Sequence, residues 1–425
     1  MEKTYKSKNG VTVYTYENSH LHGFHLSLFF KAGLIYEEKN EYGITHFFEH
    51  AAIRNVNRQM GGTLYRELDR RAVEFNASTY SEMCQFYTGG ATESFDFSAS
   101  LICKIFAPIT LSADEILSER KRIKAEIRES DEKSSISTLS QEAVHEGTSL
   151  SSSILGNVKS VDKINKKRLN LYREKISATE NLFFYLTGSF TERDVSFLLS
   201  EIEKYEFKIA TPLGNLAPVS NYFFNREKSE KRLVIKNSDT TLVRFTFDID
   251  MKKVSMKEGD LLYDALFNGY SSPFFIKMSE EEGLFYDINS NSERYKNIGT
   301  MSLSFEVKEK ELMRSLEMAL SIFSDFKNKL LSDEDMMKAA YVKNSGLLLD
   351  DARELAFTFA YDNHIMDEKN DSVSSRADAY NAVTPERLRD CAREIFTKNN
   401  LTLTVKTNKK KVRREEILAL IDTYL

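Results

Sequence analysis

The chain has 425 residues, a net charge of −5 and a pI near 6, so it lacks the basic footprint of a nucleic-acid-binding protein. Its length predicts two or more domains with sizeable cores, and no apolar run approaches the ~20 residues that a membrane helix needs. The first residues, MEKTYKSKNGVTVYTYENS, carry no apolar signal segment, and three scattered cysteines (Cys84, Cys103, Cys391) fit a reducing compartment. A cytoplasmic location is therefore expected.

The first segment alternates like sheet. Val11–Glu17 and His25–Gly33 are β-rich runs, and the turn pair Asn9-Gly10 precedes the first. Between them, His20, His22 and His25 form an H-x-H-x-x-H cluster whose alternation beside Gly23 predicts surface positions. A charged loop then leads to His46-Phe47-Phe48-Glu49-His50. On a helix, His46 and His50 share one face and form a minimal zinc chelate, with Glu49 free to act as a base. Thr45 is the expected helix cap, and this H-x-x-E-H order is the inverzincin signature. A helix over Leu64–Arg71 and two strands follow. The extended stretch Asn76-Ala77-Ser78-Thr79 would accept a peptide by β-addition at a sheet edge, and would be an ordinary internal strand otherwise.

Ser112 and Glu115 form a capping box that opens the next helix, on which Ile116, Ile123 and Ile127 make an apolar stripe. Glu119 and Glu126 fall beside that stripe, where an unpaired carboxylate is costly. Glu126 is thus the candidate third ligand of a His2Glu site, and Glu119 is placed to orient a ligand.

H-x-x-E-H followed by a Glu 76 positions after its second His resembles the pitrilysin family of zinc peptidases, which includes insulysin and the mitochondrial processing peptidase. The stretches KAGLIYEEKNEYGITHFFEH, VEFNASTYSEMCQFY, SERKRIKAEIRE and LGNVKSVDKINKKRLNLYREKISATENLFFYLTGSF are each similar to that family's first domain. The resemblance implies one Zn2+ per chain held by His46, His50 and Glu126, with Glu49 as the catalytic base. GLFYDINS resembles a second-domain segment ending in a functional Tyr, here Tyr286, but Ser279 stands where members carry an Arg.

Residues 161–205 and 380–424 align without gaps at an offset of 219, each reading as helix, strand and amphipathic helix. The expected fold is α+β: two homologous α/β domains, each a mixed sheet packed by helices. Residues 1–210 would be the catalytic domain, 211–230 a linker, and 231–425 a degenerate repeat that forms, with the first, half of a clamshell dimer. Leu262, Ala265 and Leu266 align with His46, Glu49 and His50, so the second copy has no metal site. His145 and His364 lack acidic or cysteine neighbours at ligand spacing and read as structural, while KKKVRREE reads as a solvated helix start.

Two functions follow as expectations. One is a zinc endopeptidase of short or unfolded peptides, with processing of a ribosomally made precursor as a setting that the resemblance offers. The alternative is a non-catalytic peptide-binding or scaffold subunit. Because Ser279 breaks the Arg–Tyr pair, the expected partner is a metal-less paralogue in a heterodimer, with a homodimer as the other outcome.

Overall fold

The computed structural model describes residues 1–132, 135–207, 233–285, 288–330 and 337–425; the expected linker 211–230 and Tyr286 lie outside the described residues. The chain divides into two compact units. The first takes the described residues of Met1–Lys133, Ser152–Asn215 and Gly346–Ser375, and the second those of Ser134–Ser151, Leu216–Ser345 and Arg376–Leu425. Each unit therefore includes one segment from the other half of the sequence. At the offset of 219 these two segments are counterparts of each other.

In the first unit, β1 (Glu2–Lys6), β2 (Thr12–Glu17), β3 (Gly23–Phe30), β4 (Glu74–Thr79), β5 (Cys84–Ala91) and β6 (Leu182–Gly188) form one sheet. Its order is β1-β2-β6-β3-β5-β4, with β2 and β6 parallel and the other neighbours antiparallel. One face of the sheet is covered by helices that include Ile44–Gln59. That helix buries Ile44, Phe47, Phe48, Ala51, Ala52, Asn55 and Val56, the spacing of a core-facing stripe. On the other face, Phe29, Phe183 and Tyr185 pack against Leu355, Ala356 and Phe359.

The second unit repeats the plan. β7 (Leu233–Asn237), β8 (Thr241–Asp250), β9 (Ile288–Arg294), β10 (Ile298–Val307) and β11 (Leu401–Thr407) run in the order β7-β11-β8-β10-β9, with only β7 and β11 parallel. This matches β2-β6-β3-β5-β4 strand for strand. Helix Lys166–Ile176 and β6 recur as helix Pro385–Ile395 and β11 at the offset of 219. Two mixed sheets of one plan, each packed by helices, are the duplicated α+β architecture that the repeat predicts.

Some local expectations change. His20 and His22 are exposed, but His25 is 4% exposed and bonded through Nε2 to Ser27 Oγ at 2.8 Å. The reason is that β3 is an interior strand, and residues 352–359 cover its second face. Burial, helped by the Arg353 cation, pushes the His25 pKa down to about 4. The unfolded chain would take up a proton near pH 6.5 that the buried ring refuses, so stability falls as pH drops from about 6.5 to about 4. Urea unfolding followed by circular dichroism should show wild type losing about 2 kcal/mol more than His25→Gln between pH 7 and pH 5. Equal losses would mean that the ring titrates normally.

His364 stacks on Tyr14 with ring centroids 3.5 Å apart and meets Glu2 at 3.2 Å, and His145 is buried in the second unit. All three cysteines are buried and free. No described helix is long and apolar enough to cross a membrane.

Candidate metal centre and active site

The helix Ile44–Gln59 begins at Gly43, whose φ of 90° suits glycine. A Cβ there would lie 2.5 Å from the Leu155 carbonyl oxygen, so the glycine also permits the close approach of the Leu155-Gly156 backbone. Thr45 is inside the helix and does not cap it. The cap is Glu37, a buried carboxylate that accepts from Gly43 N–H (2.8 Å), Thr45 N–H (2.9 Å) and Thr45 Oγ1 (2.5 Å). Thr45 Oγ1 also lies 2.5 Å from the Tyr172 hydroxyl. A carboxylate at a helix N-terminus satisfies free amides and suits the dipole. Glu37→Ala leaves those donors without their acceptor and is expected to destabilise the first unit by about 1–3 kcal/mol. Glu37→Gln, which keeps one acceptor oxygen, should lose less; urea unfolding of both variants checks this.

From this anchored helix His46 and His50 project together, their ring centroids 4.6 Å apart. The helix Ala113–Glu132 brings Glu126 to them. Its start carries the reciprocal Ser112–Glu115 bonds, and Ile116, Ile123 and Ile127 are buried as the stripe predicts. Glu126 Oε2 lies 3.8 Å from His46 Nε2 and 3.7 Å from His50 Nε2. One donor atom from each of the three residues falls within 4.8 Å of the others, the only such group of His, Cys, Asp or Glu among the described residues.

The surroundings fix the charge states. His46 is 8% exposed, and burial, then His50 and Arg122, push its pKa down to about 3. It is thus a neutral imidazole, the form that ligates metals. Its Nδ1 is buried without a hydrogen-bond partner among the described residues. Glu119 is buried beside His50, with Oε2 3.3 Å from His50 Nδ1 and Oε1 2.5 Å from Arg54 Nη1. Burial raises the Glu119 pKa, but the bonds from His50 and Arg54 outweigh it and hold it below the usual carboxylate range. Arg122 Nε approaches Glu126 Oε1 at 3.5 Å.

Glu49 sits at the mouth of the same site and accepts a hydrogen bond from Thr79 Oγ1. Burial raises its pKa against the opposing effects of Thr79 and His50. Thr79 ends β4, an edge strand whose one sheet neighbour among the described residues is β5. Asn76 is exposed, Ser78 and Thr79 are half-buried, and Ala77 is buried; the Ala77 N–H is held by the Asn76 side chain at 2.9 Å. A cleft of 640 Å³ opens beside them, walled by Glu49, His50, Ile53, Tyr65, Phe75 and Asn76. Glu37, Arg54, Arg122 and Tyr172 were not singled out by sequence. Arg54 and Arg122 each left a signal, four residues after His50 and four before Glu126 on their helices.

In the second unit Leu262 and Leu266 are fully buried on helix Met256–Phe267, and offer no ligand. Ser279 donates from Oγ to the Phe285 carbonyl at 3.0 Å.

Two copies of one mixed sheet, the first with a histidine-bearing helix against it, define a duplicated α+β chain with one candidate metal centre among the described residues. Residues 12–157 match the model of the Insulinase (Peptidase family M16) domain, and residues 163–340 that of the Peptidase M16 inactive domain. The chain belongs to peptidase family M16. An "Uncharacterized zinc protease" of Rickettsia felis is 25% identical over 354 residues, 81% of this chain and 82% of that one. The mitochondrial-processing peptidase subunit beta of Mus musculus is 28% identical over 170 residues, 38% of this chain and 33% of that one. The crystal structure of a protease from Helicobacter pylori has the same fold, with a TM-score of 0.81 at 15% identity over 96% of this chain and 99% of that one.

Proposed function

We propose that this chain is a zinc-dependent endopeptidase of short or unfolded peptides, acting as the catalytic subunit of a heterodimer with a metal-less paralogue. The observation that carries the reading is the convergence of His46, His50 and Glu126 donor atoms beside Glu49 in an open cleft. Two imidazoles and a carboxylate suit zinc with one position left open, and a buried histidine without hydrogen bonds fits a ligand role. When bound, zinc lowers the pKa of its water toward ~7 and polarises a carbonyl.

The chain's own residues supply the rest. Glu49 takes the proton of the attacking water and returns it to the leaving amine. Thr79 orients the Glu49 carboxylate, and Glu119, backed by Arg54, orients His50. A peptide added to the free edge of β4 along Asn76–Thr79 is aligned by main-chain hydrogen bonds, with little demand on its side chains. Tyr286 is the proposed donor to the carbonyl oxygen in a paired chain. Ser279 in place of the Arg motivates the paralogous partner, and the relatives named as subunit beta support pairing.

The test is cleavage of a quenched fluorogenic peptide mixture by the zinc-loaded chain, alone and co-expressed with neighbouring paralogues, with native mass recorded. Activity appearing in a mixed dimer is the expected result. A fully active homodimer would remove the heterodimer, and inactivity in every pairing would leave the scaffold role.

A further inference from the structure

The outer face of the second sheet differs from that of the first in one chemical respect. In the first unit Phe29, Phe183 and Tyr185 fill it together with Phe359. The strand registers place Thr246, Thr402 and Thr404 at the corresponding positions of the second sheet, all three buried. At the offset of 219, Ser140 takes the place of Phe359; its Oγ lies 2.9 Å from Thr246 Oγ1. Where aromatic rings close the first unit, the second keeps a cavity of 230 Å³, walled by Ser140, Gln141, His145, Arg244, Asn289 and Glu293 among others.

Arg244 is 8% exposed. Its Nη2 donates to Ser302 Oγ at 2.7 Å and its Nη1 to Ser304 Oγ at 3.4 Å, both neutral hydroxyls. Among the described residues no carboxylate reaches the guanidinium within 4.0 Å. Glu293, on the cavity wall, is instead engaged by Asn291 Nδ2 at 3.1 Å and the Tyr295 hydroxyl at 3.3 Å. The cross-strand neighbour of Arg244, Thr404, has a buried Oγ1 without a hydrogen-bond partner among the described residues. Glu293 attracts the guanidinium from a distance without bonding it, so neutral hydroxyls are its hydrogen-bond partners in a desolvated place, and its planar fork matches an oxyanion.

We infer that this cavity binds a small oxyanion, a carboxylate or a phosphate, on Arg244, with the surrounding hydroxyls and amides completing its hydrogen bonds. The volume suits a terminal group or a small ion. The site belongs to the second unit alone and does not depend on the peptidase reading.

Isothermal titration calorimetry of the full chain at constant ionic strength tests this, with acetyl-glycylglycine, its C-terminal amide and inorganic phosphate as probes. The free carboxylate, phosphate or both should bind while the amide does not, and which of them binds identifies the source of the oxyanion. Arg244→Met should weaken binding at least about tenfold. Ser140→Phe, which keeps the guanidinium but fills the cavity as Phe359 does in the first unit, should weaken it equally. No binding of either anion to wild type, or binding unchanged in the two variants, would overturn the inference.

Discussion

Glu49→Gln is expected to lower kcat/KM on a cleaved peptide by about 10²–10⁴-fold while zinc content stays at that of wild type. The carboxylate faces the cleft beside the three converging donors and, unlike Glu119, forms no ion pair with an arginine among the described residues. Gln keeps the shape and can still accept from Thr79, so the helix and the ligands need not move. What disappears is the capacity to take a proton. Burial holds the Glu49 pKa above the usual carboxylate value, closer to the pH at which a base works best. Zinc measured by mass spectrometry and rates measured on one fluorogenic peptide decide the matter. A variant that keeps its rate would remove Glu49 from the chemistry.

The second large effect concerns His46. His46→Ala deletes one of three donors and is expected to weaken zinc binding by more than about 100-fold, because losing a supporting partner alone costs about 10–100-fold. Activity should vanish with the metal. The ring is buried but has no hydrogen bond to lose, so in the metal-free protein the cost of the change is that of the space vacated beside His50. Chelator competition gives the affinity, and circular dichroism shows whether the fold persists. An unchanged affinity would mean that the metal is held elsewhere.

Much of this arrangement is legible in the sequence because it is periodic. His46 and His50 share a helix face by spacing, and Glu126 and Glu119 are marked by standing next to the buried Ile116 and Ile123. The paired sheets follow from the repeat at an offset of 219, whose helix and strand recur in the structure. What escapes a linear reading is how loops and layers fold back on the periodic elements. Thr45 has the residue type of a cap, yet the cap is supplied by Glu37 from a loop whose course no local rule gives. His25 looks like a surface residue because strand alternation does not say whether a second layer exists. That layer is residues 352–359. Whether Asn76–Thr79 lies at an edge depends on sheet order, which the pattern of one strand does not contain.

The exchange of segments between the units has a consequence for biosynthesis. The chain emerges from the ribosome N-terminus first, so the histidine helix and β1–β6 are complete long before Leu355, Ala356 and Phe359 exist. Until then Phe29, Phe183 and Tyr185 lack the partners that cover them in the finished fold. The first unit is finished only when translation has passed residue 375, after most of the second has been made. A nascent chain stalled near the middle therefore already contains His46, His50 and Glu126 but not the residues that cover the second face of their sheet. Such an intermediate is a natural client for holdase chaperones.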